Sequence, residues 1–514
     1  MNAFRTIFSV LLAAALFAGC SMTPSMETPE AEANLPERYD AESDSPLLPA
    51  SAADTSVAVP TEWWTRLGDP VLETLVDSAL IGNLDLRSAR ARLDELQARF
   101  RIARAPLFPS ANATGTVNQQ TQPLNTGLGA VFGQQGGDQQ GGGQTGGGGG
   151  SQTGGPPDRV SFTTYSASLG LSYEVDFWGR IRSQRKAALS QFFATAADLQ
   201  NTRIAVISQT ISAYAQYASL LQQEALTADA IALLEDRLAV TEDRYGRGIA
   251  SSFELYSVRQ QLEQARANQP PLRAERYDAQ TRLAVLTGRP AGEEQALLAA
   301  PSRDRLALDP VPAGLPSDLI ARRPDVMAAS ARLEAARQQI GVARAEMLPR
   351  LSLTAEGGLQ SASLDDLLDI DQRFSSLIAN LSAPLFQGGA LWARVDVTKA
   401  QYRQQLAVYE KTLLTAFQEV KSALVADRQQ QVAYERVQNQ LDAASASFQT
   451  QQSRYQRGIG DYLALLDAEQ NLLTVQQRAA TARQQRIAAR LTLYRALGGP
   501  WTQQDPLDEP GLFQ

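Results

Sequence analysis

The sequence predicts an α+β membrane protein written as a duplicated chain, in which pairs of β-strands feed very long helices. Three observations carry that prediction. The stretch "RYGRGIASSFELYSVRQ" at 244–260 returns as "RYQRGIGDYLALLDAEQ" at 454–470. No proline interrupts Gly179–Arg244 or Ala390–Arg454, runs far longer than the helices of ordinary globular domains. Between the helical stretches lie segments that alternate apolar and polar residues with period two, the mark of a strand with two different faces.

In chain order, the N-terminus comes first. "MNAFRTIFSVLLAAALFAGC" places Arg5 ahead of an apolar run from Ile7 to Ala18, with small residues before Cys20. The run is too short to span a bilayer and reads as a secretory signal over residues 1–19. Cys20 is the chain's single cysteine and stands where "LFAGC" would be cut and lipidated, although Phe17 occupies a position that is usually Leu. Ser21 follows it, where an Asp would resemble an inner-membrane retention signal. A covalent lipid on Cys20 and an outer-membrane destination are therefore expected, with no other cofactor and no metal. A lone cysteine also fits an oxidising periplasm without a disulfide framework. Residues 20–60, rich in Pro, Ser, Ala and Glu with no period, read as a lipidated N-terminus and disordered tether.

Two structural repeats follow, at 61–300 and 316–500, with a linker at 301–315 and a C-terminal tail at 501–514. "ARL" at 91–93 recurs at 331–333, an offset of 240, and Pro109 falls on Pro349. Farther along, Arg244 recurs as Arg454, an offset of 210, and Gly288 as Gly498. The first copy thus holds about thirty extra residues, supplied by the Gly-, Gln- and Ser-rich loop at 127–157, which cannot bury a core.

Each repeat opens with a helical stretch, Asp69–Arg104 or Pro316–Glu346. Strands follow at about 107–121 with 160–176, and 350–362 with 372–386. In "VSFTTYSASLGLSYEVDF" one face carries Tyr165, Leu169, Leu171 and Tyr173, and the other Ser166, Ser168 and Ser172. Long helices at 179–244 and 390–454 then pair with return helices at 252–287 and 461–497, each ending near a glycine. Ile204, Ile207, Ile211 and Tyr214 advance by three and four, the seam of a coiled coil. Pro270-Pro271 is expected to kink or break the first return helix.

Four strands cannot close a barrel alone, and open edges are not tolerated in lipid. Several chains must combine. Three would give twelve strands, although the count also permits a dimer or a tetramer.

Composition narrows the function class. The net charge of −8 and pI near 5.0 give no support for nucleic-acid binding. Histidine is absent, which removes the commonest general acid/base and the commonest transition-metal ligand. No paired carboxylates lie in a substrate-binding pattern, so the reading is not an enzyme.

"FWGRIRSQRKAAL" (177–189), "LIARRPDVMAASARLEAARQQIGVARAEMLPRLSL" (319–353), "LFQGGALWARVDVTKAQY" (385–402) and "RYQRGIGDYLALLDAEQNLL" (454–473) resemble the TolC-like outer-membrane efflux proteins. The resemblance is to the lipoprotein, NodT-type branch that serves resistance-nodulation-division pumps, and it covers roughly residues 60–500. It implies a homotrimer whose twelve-stranded β-barrel continues into a periplasmic barrel of α-helices ringed by an equatorial α/β region. Implied partners are a periplasmic adaptor (membrane fusion protein), the inner-membrane pump and outer-membrane lipid. The implied function is a passive exit duct for small molecules and drugs. Two alternatives stand beside it: the duct of a type I-like protein or peptide secretion system, and a periplasmic coiled-coil scaffold lipoprotein with no pore.

The repeated stretch joins a descending to a returning helix, and Gly248 and Gly458 allow the backbone of a tight reversal. The resemblance implies that these tips form the tunnel entrance and dock the adaptor, with Arg244, Arg247, Arg454 and Arg457 available to pair with it. Solvated charges at helix ends are the plainer alternative. Leu463 and Asp467 match positions that line the family's constriction as an apolar and an acidic ring. Tyr455 and Glu254 match positions that link neighbouring helices in the closed tip. The family's basic partner beyond the second glycine is not evident, since Gly460 follows Ile459.

Overall fold

The computed structural model describes residues 22–25, 63–123, 159–296, 298 and 323–498. The signal segment, Cys20, the loop at 127–157, the linker and the C-terminal tail lie outside the described residues. In chain order the main elements are α1 (Pro70–Gly82), α2 (Leu84–Arg104), β1 (Ser110–Pro123), β2 (Arg159–Val175), α3 (Arg180–Gly246) and α4 (Ser252–Leu286). The second copy gives α5 (Pro324–Ala345), β3 (Arg350–Ser361), β4 (Arg373–Ser382), α6 (Ala390–Gln456) and α7 (Tyr462–Ala496). None of the described helices is long and apolar enough to cross a membrane.

The duplication is written into the geometry. α3 and α6 are each 67 residues long, and α4 and α7 are each 35. The first hairpin opens on Ser110 opposite Ser172, and the second on Arg350 opposite Ser382, which are the same positions 240 and 210 residues on. Packing repeats as well. Leu86 clusters with Val206, and their counterparts Val326 and Ala416 share another apolar cluster.

One compact unit comprises the described Met22–Pro24 with Phe100–Ala187 and Arg337–Lys399. Its four-stranded antiparallel sheet runs β1-β2-β3-β4, leaving β1 and β4 as edges. The register puts Ala113, Leu169, Gly357 and Ser375 in one cross-strand row and Ala111, Leu171, Ala355 and Leu377 in the next. That face also carries Tyr173, Leu353 and Leu381, whereas the other carries Asn112, Thr114, Ser166, Ser168, Ser352 and Thr354. The apolar face is uncovered within the chain: Leu169 is 68% exposed, Leu377 80% and Leu381 69%. β4 stops at Ser382, short of the residue 386 expected, because its partner β3 begins at Arg350 directly after Pro349, which has no N–H to extend the ladder.

The passage from β2 into α3 is fixed by side chains. Asp176 accepts from the amides of Ile181 and Arg182 at 3.1 and 2.9 Å, capping the new helix. Arg180 forks onto Glu174, and the Trp178 indole donates to the Pro349 carbonyl at 2.9 Å.

The second unit is helical among the described residues, comprising Trp63–Arg99, Ala188–Ala336 and Ala400–Gly498. Leu72, Leu75 and Val76 of α1 pack with Ile207, Ile211 and Tyr214 of α3 and Leu283 of α4. The Tyr214 hydroxyl donates to Asp69 at 2.6 Å, and the other oxygen of Asp69 caps α1. Val326, Leu333, Leu413, Val420 and Leu493 form the matching core of the second copy.

Three further expectations from the sequence differ from the structure. The helical stretch Asp69–Arg104 is two helices, because the Asn83 side chain accepts from Asp85 and Leu86 and so begins α2 afresh. The same side chain donates to the Leu286 carbonyl at 2.9 Å, tying the break to the end of α4. α4 runs unbroken through Pro270 and Pro271. The carbonyls left without partners belong to exposed residues, where water can serve them. Ion pairs hold both flanks: Glu224 of α3 takes Arg273 and Arg276, and Arg266 takes Glu235. Finally, Met22–Pro24, read as part of a tether, lies against α5: the Thr23 hydroxyl donates to Gln338 Oε1, and Arg337 and Arg344 donate to the carbonyls of Pro24 and Met22.

Candidate functional site: the paired helix reversals

The two repeated stretches fold into the same turn. The amide of Gly248 donates to the Tyr245 carbonyl at 2.9 Å, and that of Ile249 to the Arg244 carbonyl at 2.8 Å. Gly458 and Ile459 repeat the pair toward Tyr455 and Arg454 at 2.9 and 3.1 Å. Two such bonds, one reaching back three residues and one five, are a Schellman termination, which needs a left-handed residue at its corner. Gly248 has φ +71 and Gly458 φ +74, which a side chain would strain.

Beyond the glycines the copies diverge. α4 begins on an N-cap: the Ser251 side chain accepts from the Glu254 amide at 3.2 Å. Asp461, at the start of α7, makes no such side-chain cap. Ala250 of the first copy is replaced by Gly460, and the reason is steric. A Cβ on Gly460 would stand 2.6 Å from the Tyr455 amide nitrogen and 2.8 Å from the Arg454 carbonyl carbon. A basic side chain has no room there.

The residues singled out from the sequence fall into three groups. Tyr455 is brought to Arg244, whose guanidinium donates to the phenol at 3.0 Å and so links the two reversals. Leu463 and Asp467 are exposed, one turn apart on α7, on the face turned away from Leu465, Leu466 and Glu469. Arg247 pairs with Asp243 on its own helix, and Arg454 and Arg457 are exposed beside Gly458. Glu254 is half-buried, and among the described residues no hydrogen bond joins its side chain to Tyr455.

Behind the exposed face lies a cluster that the sequence reading missed. Arg237 of α3 forms a buried ion pair with Glu469 of α7, with side chains 11% and 6% exposed. The Arg237 guanidinium lies 5.7 Å from the centre of the Tyr462 ring, which itself tilts against Tyr455 at 5.8 Å. Burial pushes the Tyr462 phenol up from its ordinary value, against the opposing pull of Thr241 and the Arg237 charge. A chain of contacts therefore runs Arg244–Tyr455–Tyr462–Arg237–Glu469. A signal for it did exist in the sequence. Ala230, Leu234 and Thr241 are buried on α3, and Arg237 sits at the position where their spacing calls for an apolar residue.

The site is thus a cross-braced pair of reversals, with Leu463 and Asp467 exposed on the first turns of α7. Among the described residues, no cluster of potential ligands suits a metal.

Comparison with known proteins gives a consistent result. The profile of the outer membrane efflux protein family matches residues 75–289 and 315–499, one block in each repeat. The chain is 32% identical over 504 residues to a probable efflux pump outer membrane protein, TtgC, of Pseudomonas putida, covering 97% of this chain and 96% of that one. A membrane protein of known crystal structure from Pseudomonas aeruginosa is similar with a TM-score of 0.78 at 29% identity, over 93% of this chain and all of that one. The CmeC outer membrane channel of Campylobacter jejuni shares the fold with a TM-score of 0.81 at 23% identity, over 95% of this chain and 96% of that one.

Proposed function

The chain belongs to the outer membrane efflux protein family and is an outer-membrane efflux channel; on that premise we propose that three copies form a passive exit duct for small molecules, docked on a periplasmic adaptor and driven by an inner-membrane pump. The observation that carries this reading is the sheet. It has four strands, two open edges, one apolar exposed face and one polar face. Open edges must be paired in a bilayer, and a barrel with an apolar exterior and a polar lumen pairs them. Three copies supply twelve strands. The work is conduction, with no catalytic step assigned to any residue.

The reversals are the duct's closed entrance. Leu463 and Asp467 face the axis as an apolar ring above or below an acidic ring, one side chain from each copy. Three carboxylates drawn together on an axis attract cations and repel anions. The exposure of both residues within one chain supports this, because an axial position is uncovered until copies assemble. Arg454, Arg457 and Arg247 lie at the extreme of the reversals, where the adaptor docks. Arg244 takes the place of the basic residue that Gly460 has no room for, gripping Tyr455 from the other reversal. Glu254 remains available to a neighbouring copy. Cys20 carries the lipid that holds the mature N-terminus in the membrane.

Single-channel recording in planar bilayers tests the reading. The wild-type trimer is expected to open rarely, and Asp467→Ala to raise its basal conductance. A protein that forms no channel would overturn the duct; a channel whose leak ignores Asp467 would overturn the placement of the gate.

A further inference from the structure

Asp467 does not stand alone on its face of α7. The exposed residues between it and Thr492 are Gln470, Asn471, Thr474, Arg478 and Gln485, all of them polar and only Arg478 charged. Asp467, Thr474, Arg478, Gln485 and Thr492 follow one another at seven, four, seven and seven residues, which returns them to one line along the helix. The opposite side is covered: Leu465 is buried, and Leu472, Gln476 and Arg483 are half-buried.

Both flanks of α7 are taken by helices of its own chain. On one side Glu469 pairs with Arg237 of α3, and the Ser219 hydroxyl of α3 donates to the Ala480 carbonyl at 3.4 Å. Ile487 and Leu491 share an apolar core with Tyr217 and Leu220 on that side. On the other, Arg490 donates to Asp427 of α6 at 2.7 Å, and the Arg486 guanidinium lies 5.0 Å from the centre of the Tyr434 ring. A neighbouring copy therefore has no place beside α7, and the exposed stripe is not a seam between copies. It is left facing water.

Arg478 is positioned on this stripe yet uncompensated. Its guanidinium donates to Gln440 of α6 at 3.3 Å, and among the described residues no carboxylate pairs with it. The first repeat has no such charges: 210 residues earlier, Ser257 stands for Asp467 and Asn268 for Arg478. Each charge thus occurs once per chain, and three copies set it out as a ring of three.

We propose that Arg478 forms a cationic ring in the duct, three helical turns beyond the acidic ring of Asp467, and that the two rings together make the entrance bipolar. Eleven residues of helix separate the rings by about 16 Å. That is about two Debye lengths at physiological salt, so each ring meets a passing charge separately. Three guanidiniums around one lumen repel cations and offer planar forks to carboxylate or phosphate groups. A simple cation drawn in at Asp467 is opposed at Arg478, whereas a molecule bearing both an ammonium and a carboxylate is attracted at each ring in turn. The proposal rests on the reading that places Asp467 on the axis.

Its test is charge selectivity, read as the reversal potential of single channels of the full-length trimer under a gradient of potassium chloride. The potential is read within openings, so it does not depend on how often the duct opens. A ring worth about one unit of thermal energy changes the preference for cation over anion about threefold, so Arg478→Gln is expected to raise that preference about threefold and Arg478→Glu further. Arg478→Lys keeps the charge and should keep the wild-type value. An unchanged preference in Arg478→Gln would overturn the ring. A rise in Arg478→Lys equal to that in Arg478→Gln would also overturn it, by assigning the effect to the shape of the side chain and not to its charge. Asp467→Asn on the same gradient separates the premise. A preference that ignores Asp467 but follows Arg478 would overturn the acidic ring and the bipolar entrance while leaving the cationic ring in place.

Discussion

The guanidinium of Arg244 donates to the phenol of Tyr455 at 3.0 Å, so that the last turn of α3 holds the last turn of α6. This bond crosses between the two halves of the duplication at the point where each chain reverses. Tyr455→Phe keeps the ring against Tyr462 and removes only the acceptor. A half-buried hydrogen bond to a charged group contributes about 1 kcal/mol, or about fivefold in a local opening equilibrium. Amide exchange at 244–250 and 454–460 is expected to quicken by about that factor. Unchanged exchange would show that the reversals are held elsewhere.

The ion pair between Arg237 and Glu469 is a stronger brace, because both groups are out of water. Glu469→Ala strands a buried guanidinium, and such losses cost about 3–5 kcal/mol. Amides of the first turns of α7 should then exchange at least a hundredfold faster, roughly as that cost implies. Removing both charges, with Arg237→Met and Glu469→Leu, should restore most of the protection. A double variant as loose as the single one would mean that packing, and not an unpaired charge, sets the cost.

Pro270 and Pro271 make the opposite case, a flaw that the fold tolerates. Each lacks the amide that would bond one turn back, on the exposed side of α4. Pro271→Ala restores that bond and should stabilise α4 by about 1–3 kcal/mol, seen as a higher midpoint of thermal denaturation. A lower midpoint would show that the prolines impose a bend on which the packing depends.

These three sites also mark what the sequence disclosed. The duplication was legible because its signal is translation along the chain, and it reappears intact in the register of both hairpins. The two faces of the sheet were legible for the same reason, since period two needs no knowledge of partners. Asn83 was not, because its break depends on the Leu286 carbonyl two hundred residues away. The unbroken α4 was misread because local rules for proline are overruled by Glu224 and Glu235 on the neighbouring helix. At the reversals, the glycine corners could be read directly from composition. The Arg237–Glu469 pair left only the spacing of Ala230, Leu234 and Thr241 around Arg237 as a signal, because charge on a helix is ordinarily solvated and tertiary contact shows which residue is buried.

Tyr462 gives the reversals a dependence on pH whose direction follows from its surroundings. Burial raises the phenol above its ordinary value near 10, the nearby Tyr455 adds to that, and Arg237 only partly opposes it. In the unfolded chain the proton is lost near pH 10; in the folded one it is held to higher pH. The folded form therefore binds more protons in that window, and its stability must fall as pH rises through it. Below about pH 9 neither form titrates and the phenol contributes no slope. Amide exchange in the first turn of α7 should thus accelerate from about pH 10 upward, beyond the acceleration that hydroxide imposes on exposed amides. Tyr462→Phe should abolish the excess while leaving Arg237 paired with Glu469. An excess that persists in Tyr462→Phe would show that Tyr462 does not set the alkaline weakness of the reversals.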